Sequence, residues 1–301
     1  IKAVENFVKI SLQAINFTPI DFAKEAYLNC ARSIITFAQG LKKFVQIRFP
    51  SSISASIPTE LAACSAFSDL LKFENKIDLK LSKSVQIALN LLQKTSDERA
   101  SSFIIALASS NPNLEFWIDL IRRILLVNSV FDSNASKIEP NQIVKVTFLE
   151  VTKIVLPDLA SQFDLKTEYL DDIISAICQA IGTERVIIQD AAFPVLNKLI
   201  NLFRNRRSEN GGRLLDLYDV QFVSAVKIGF TLNLTTSGEF LSTYLSFRMQ
   251  VVSEDTSNQE ILDVYVPGLQ NCRQRTSNYF SLVLDLCIVA RRFEAISKLI
   301  K

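Results

Sequence analysis

Histidine is absent from this 301-residue chain, and glycine and proline are scarce at 7 and 8 residues. Average usage would supply roughly 21 Gly and 15 Pro. Without His there is no Ser–His or Cys–His nucleophilic site, no His general base and no His metal ligand. Seven glycines leave little for a phosphate-cradling loop, and the P-loop, G-x-G-x-x-G, G-x-S-x-G and acidic Ca²⁺-loop patterns are all missing. So few Gly and Pro also argue against a sheet protein with many tight turns. An excess of either charge is lacking too. Lys+Arg number 33 and Asp+Glu 31, a net charge of +2, which supplies no default attraction to nucleic acid or to an anionic membrane. The longest apolar runs, such as Ile124-Leu125-Leu126-Val127, are too short to span a bilayer, and no segment has the layout of a signal peptide. A start at Ile1 rather than Met is expected of a piece excised from a longer chain.

The five cysteines, Cys30, Cys64, Cys178, Cys272 and Cys287, are scattered and include no C-x-x-C pair. They are expected to be buried free thiols on helix faces, as suits a reducing compartment. No metal site and no cofactor site is expected.

What the chain does have is helical periodicity. Between Thr183 and Arg204 the residues Ile188, Ala192, Val195, Leu199 and Phe203 recur at steps of four, three, four and four. Thr183 is the expected cap, with Glu184 in the first turn. Val186, Ile187, Ala191, Leu196, Ile200 and Leu202 widen the apolar surface past half the circumference, so this helix must be covered on two sides. Near the C-terminus Phe280, Leu284, Cys287, Ala290 and Phe293 form a similar stripe. Pro58, Pro112 and Pro140 fit first helical positions. Gly182, Asn210-Gly211-Gly212 and Phe49-Pro50-Ser51-Ser52 fit stops. The predicted helices are 2–17, 20–47, 58–73, 81–94, 97–109, 112–130, 140–163, 168–181, 184–205, 213–232, 238–251, 259–271 and 276–300. Pro157 and Pro194 should kink two of them, or split the first.

Thirteen helices in 301 residues give pairs that recur at roughly 40–47 residues, the period of HEAT and armadillo arrays. The expected fold is therefore all-α, an α-solenoid of HEAT/armadillo-like helix pairs. Residues 1–130 and 140–301 would be two parts of one array, joined by a loop at 131–139.

Four side-chain groups invite a functional reading. Asp171-Asp172 could be paired carboxylates, but neighbours on a helix point about 100° apart and do not converge on one atom. They read better as first-turn charges after Thr167. Trp117 reads as a packing residue, with an exposed anchor for a partner as the alternative. Arg204, Arg206, Arg207 and Arg213 flank Ser208–Gly212. They are either a solvated loop with the usual positive bias at a helix C-terminus or a contact for an anion or an acidic partner. No aromatic residue interleaves with them, which argues against single-stranded nucleic acid. The Cys and Ser residues carry no nucleophile signature, so an enzyme is not expected.

Further residues carry a family likeness. They are Leu170-Asp171-Asp172-Ile173-Ile174, then Gln189-Asp190-Ala191-Ala192 with Val195-Leu196 and Ile200. After a Gly-containing linker come Leu214-Leu215-Asp216-Leu217-Tyr218 and Phe222-Val223-Ser224-Ala225-Val226. With Asn113-Leu114-Glu115-Phe116-Trp117 upstream, this order resembles part of the large HEAT-repeat accessory proteins of the clathrin adaptor at the trans-Golgi network, the fungal large adaptor-accessory protein and its animal p200-type counterparts. The resemblance implies a cytosolic scaffold without cofactor, peripheral at the trans-Golgi network, endosomes and clathrin-coated vesicles. Its partners would be the adaptor complex and a small, largely disordered co-subunit, and it would support Golgi–endosome sorting by protein–protein binding. A homodimer is compatible with this; nucleic acid and a transmembrane segment are not expected. Importin/exportin-type nuclear transport receptors also use HEAT arrays and are the alternative, though such chains are usually strongly acidic. A ribosome-assembly scaffold would carry a long basic stripe.

Overall fold

The computed structural model describes residues 81–111, 113–126, 140–161, 167–183, 185–205, 213–215, 217–232, 234–251, 264–271, 277–289, 291 and 293–300, with positions 57, 61, 64, 65, 67, 68 and 71. The predicted helices 2–17 and 20–47, the starts at Pro58 and Pro112, the stops at Phe49–Ser52 and Asn210–Gly212, and the loop 131–139 lie outside them. Among the described residues the protein is all-helical, with no strand. The helices are α1 (Leu81–Thr95), α2 (Glu98–Ser110), α3 (Leu114–Leu125), α4 (Gln142–Ala160), α5 (Thr167–Thr183), α6 (Val186–Arg204), α7 (Asp219–Thr231), α8 (Thr235–Val251), α9 (Val266–Asn271), α10 (Ser277–Val289) and α11 (Phe293–Ile300). The chain divides into two compact units. One comprises Ile1–Asn113 with Ser136–Thr147, the other Leu114–Ala135 with Phe148–Lys301.

In the first unit, α1 packs on α2 across a two-residue turn. Ser96 takes φ 54° there, the left-handed conformation that closes a helix, and its N–H bonds the Leu92 carbonyl at 2.9 Å. Asp97 then caps α2 by accepting from the Arg99 N–H at 2.9 Å, and its carboxylate also takes the Arg99 guanidinium at 2.7 and 2.9 Å. That side-chain bond holds the Asp97 carboxyl below its ordinary value of 3.8. Because the folded value is the lower one, the charge stabilises the fold above pH 3.8 and stops doing so as pH falls through the folded value. Asp97→Asn keeps a cap but not the charge. The stability gap between wild type and variant in denaturant melts should therefore be present at neutral pH and close below pH 3.8.

Asn141 ties α4 to the end of α1. Its Oδ1 accepts from the Val144 N–H at 2.9 Å, and its Nδ2 donates to the Leu92 and Gln93 carbonyls at 3.2 and 3.3 Å. The N-cap is thus Asn141, and Pro140 stands outside the helix rather than at its first position. Ser101 and Thr147 share a hydroxyl–hydroxyl bond of 2.7 Å, and the Phe67 and Phe103 rings meet at 6.2 Å. Both rings are fully buried.

In the second unit α3, α5, α7, α9 and α11 form one row and α6, α8 and α10 another. α3 touches α5, α5 touches α7, α7 touches α9, and α9 touches α11; α6 touches α8, and α8 touches α10. Sequential pairs α5–α6, α7–α8, α9–α10 and α10–α11 also pack. The α6 stripe Ile188, Ala192, Val195, Leu199 and Phe203 is buried throughout, and α5 and α8 supply the two covering surfaces. By length and composition α6 is also the one described helix that could cross a membrane. Trp117 is fully buried, with its ring edge-to-face on Phe116 at 5.2 Å, so the exposed-anchor alternative does not hold. An aromatic chain runs through the interior: Phe203 to Tyr218, Phe222 to Tyr244, Tyr244 to Phe240, and Phe240 to Phe193, with centroids 5.5 to 6.4 Å apart.

Several boundaries differ from those read in the sequence. Tyr218 is a turn residue, so the predicted helix 213–232 does not run unbroken; its buried ring makes the corner a packing point. The predicted helix 276–300 breaks where Arg291 takes φ 54°. On α10 the buried residues are Tyr279, Val283, Leu286 and Cys287, whereas Phe280 and, beyond the break, Phe293 are exposed. Gly182 lies within α5 and has no positive φ, so it is not a left-handed stop. The residue before α6 is Arg185, which makes no side-chain cap, and Thr183 ends α5 instead. Pro157 does not split α4, which ends only at Ala160, and Pro194 sits inside an unbroken α6.

Gly268 marks the tightest approach. A Cβ there would sit 2.5 Å from the Phe230 ring, closer than any carbon can come, so α9 packs on α7 only because this position lacks a side chain.

Candidate functional site

The arginine group is the only sequence-read partner site, and the structure describes half of it. Arg204 is the last residue of α6 and is exposed; Arg213 is helical and exposed; Arg206 and Arg207 lie outside the described residues. Beneath Arg204, the Phe203 ring stacks on Tyr218 at 6.4 Å, which brings the end of α6 beside the corner that begins α7. Leu217 and Val220 are exposed at that corner. Arg204 sits in the last turn of its helix, where the dipole favours a cation.

Asp171 and Asp172 lie in the second turn of α5, not the first, and point to different neighbours. Tyr218 Oη donates to Asp171 Oδ1 at 2.6 Å. Burial and this bond to a carboxylate raise the Tyr218 phenol far above its ordinary range. Asp172 Oδ2 lies 3.0 Å from Arg122 Nε of α3. Desolvation nonetheless raises the Asp172 carboxyl, outweighing the attraction of Arg122, with Glu168 and Asp171 adding repulsion. Two carboxylates committed to separate partners are not an acid–base pair.

Two polar contacts escaped the sequence reading because each partner is far along the chain. In the first, Pro157 has no N–H to give the Lys153 carbonyl one turn earlier. Lys198 of α6 fills that position, its Nζ donating to Lys153 O at 2.6 Å. Burial lowers the Lys198 ammonium, the positive Lys153 lowers it further, and Glu150 opposes both. Lys153 itself pairs with Glu150 at 2.7 Å. Lys198→Met should cost about 1–3 kcal/mol, because it strands a packed carbonyl. In a Pro157→Ala background, where the helix regains its own donor, the same change should cost much less. A double-mutant cycle from urea melts measures the difference.

In the second, Arg248 of α8 is 5% exposed and places Nη1 3.2 Å from Asp219 Oδ1 at the start of α7. A buried guanidinium is tolerated only with such a partner.

The described cysteines are free: Cys64 and Cys287 are buried and Cys178 is half-buried, while Cys30 and Cys272 lie outside the described residues. Burial pushes the Cys178 thiol up to about 12 and the Cys287 thiol up to about 11. Cys178 Sγ donates to the Gln221 carbonyl at 3.8 Å. Burial of this kind favours the neutral thiol, as suits a packing group. Among the described residues no group of three or more Cys, Asp or Glu is placed to hold a metal ion. Among the described residues these polar contacts join one helix to another at separate places.

Comparison of the chain with protein-family models, curated proteins and solved structures yields no match.

Proposed function

We propose that the chain is a stretch of α-solenoid built from HEAT/armadillo-like helix pairs and that it works as a scaffold. The carrying observation is a step near 46 that recurs among the inter-helix polar contacts. Ser101 meets Thr147, Lys198 meets Lys153, Tyr218 meets Asp171 and Thr236 meets Asp190 at separations of 46, 45, 47 and 46 residues. Asn141 meets Gln93 at 48 and Cys178 meets Gln221 at 43. Other inter-helix polar contacts have shorter separations: Ser68–Ser102 at 34, Arg248–Asp219 at 29, Gln270–Lys298 at 28 and Tyr244–Tyr265 at 21. A step near 46 is what equivalent helices of adjoining HEAT units require, since each helix packs on its counterpart in the next unit. The two alternating rows of the second unit agree with it.

The resemblance of residues 169–252 supports the specific role. The scaffold is an accessory factor of the trans-Golgi clathrin adaptor, cytosolic and peripheral to Golgi and endosomal membranes through its partners. It acts by protein–protein binding, without cofactor or catalysis. Arg204, Arg206, Arg207 and Arg213 are the candidate contacts for an acidic partner. Affinity purification of the tagged chain from cell extract tests the role: adaptor subunits with a small partner are expected, and recovery of a nuclear-transport GTPase instead would overturn it.

A further inference from the structure

The helices α10 and α11 each expose apolar side chains. On α10, Phe280, Leu284 and Ile288 fall at i, i+4 and i+8, and Phe280 and Ile288 are exposed; Val289, exposed as well, points away from that stripe. On α11, Phe293, Ile296 and Ile300 fall at i, i+3 and i+7, and Phe293 and Ile300 are 69% and 73% exposed. Half of the large apolar side chains exposed among the described residues lie in this span of the chain. Grouped aromatic and aliphatic side chains of this kind mark interaction surfaces, whereas single ones are ordinary.

The charges on α11 indicate what covers the face. Ala295 is buried and points inward. A helical turn of 100° per residue then puts Phe293, Ser297 and Ile300 at the centre of the outward face, with Glu294 and Lys298 together along one flank. When two identical helices meet antiparallel about a twofold axis, the same flank of each faces the other. Glu294 then meets the partner's Lys298, and Lys298 meets the partner's Glu294. Phe293 meets the partner's Ile300 on either side of the axis, and Ser297 lies near the axis itself. An isologous interface needs this self-complementarity, and a flank carrying a single sign of charge would lack it. We propose that the outward face of α11 binds a second copy of this chain through an antiparallel α11–α11 contact. The inference is independent of the adaptor role and stands or falls without it.

The test uses the whole 301-residue chain. Sedimentation equilibrium should give a reversible dimer. Phe293→Asp should abolish it while leaving the helical circular-dichroism signal intact. Glu294→Lys and Lys298→Glu should each raise the dimer Kd by about tenfold, and the double exchange should restore it. Ser297→Cys should give a disulfide-linked dimer under mild oxidation that wild type does not form. A chain monomeric at every concentration would overturn the proposal and assign the face to another segment of the same polypeptide or to a different protein. A dimer indifferent to Phe293→Asp, or weakened by both single exchanges and not restored by the double one, would overturn it equally.

Discussion

Truncation of Phe222 to alanine is expected to lower unfolding free energy by about 3–5 kcal/mol. The ring is fully buried on α7 and meets three others, Phe203 at 6.1 Å, Tyr218 at 6.2 Å and Tyr244 at 6.2 Å. These three belong to α6, the corner before α7, and α8. One deletion therefore opens a void where several elements converge, and aromatic edges on every side cannot all move in to fill it. Urea or guanidinium denaturation followed by far-ultraviolet circular dichroism measures the change. Phe222→Leu, which keeps most of the volume, should cost much less. A loss below about 1 kcal/mol for the alanine variant would mean that this cluster is looser than the ring distances indicate.

The second large effect concerns charge rather than volume. Asp219→Ala is expected to cost about 3 kcal/mol, because it removes the carboxylate 3.2 Å from a guanidinium that has little access to water. The variant also takes a negative charge from the first turn of α7, where the helix dipole favours one. Adding Arg248→Met to Asp219→Ala should recover most of the loss, since a thioether side chain requires no counter-charge in that place. Chemical denaturation of the four proteins of the cycle supplies the coupling energy. A double variant no more stable than Asp219→Ala alone would show that Arg248 is held by its other contacts.

What could be read along the chain was whatever depends on near neighbours. Periodicity within α6 identified Ile188, Ala192, Val195, Leu199 and Phe203 as core, and all five are buried. The same local logic placed Trp117 inside and separated Asp171 from Asp172. What could not be read depends on residues some 45 positions away. The Lys198 contact is visible only once the fold brings Lys198 of α6 to the Lys153 carbonyl. The corner at Tyr218 reflects a ring drawn into the aromatic cluster and a phenol held by Asp171, neither of which disturbs the apolar pattern of 213–232. On α10 the stripe is offset by one residue because Tyr279, not Phe280, faces its neighbours. The cap at Asn141 was missed because Pro140 mimics a helix start, whereas the bonds that decide the matter run to α1.

The proline in α4 also constrains how α4 and α6 can be aligned. The interior carbonyls of an intact helix are already paired, so its alignment on a neighbour rests on side-chain packing alone. Pro157 withholds its own N–H from the Lys153 carbonyl, and Lys198 is the group that donates to it. A slip of α6 by one turn would separate the two and leave an acceptor stranded inside the packing. The defect therefore works as a point of attachment, a directional polar contact that fixes where along α4 the Lys198 side chain is held.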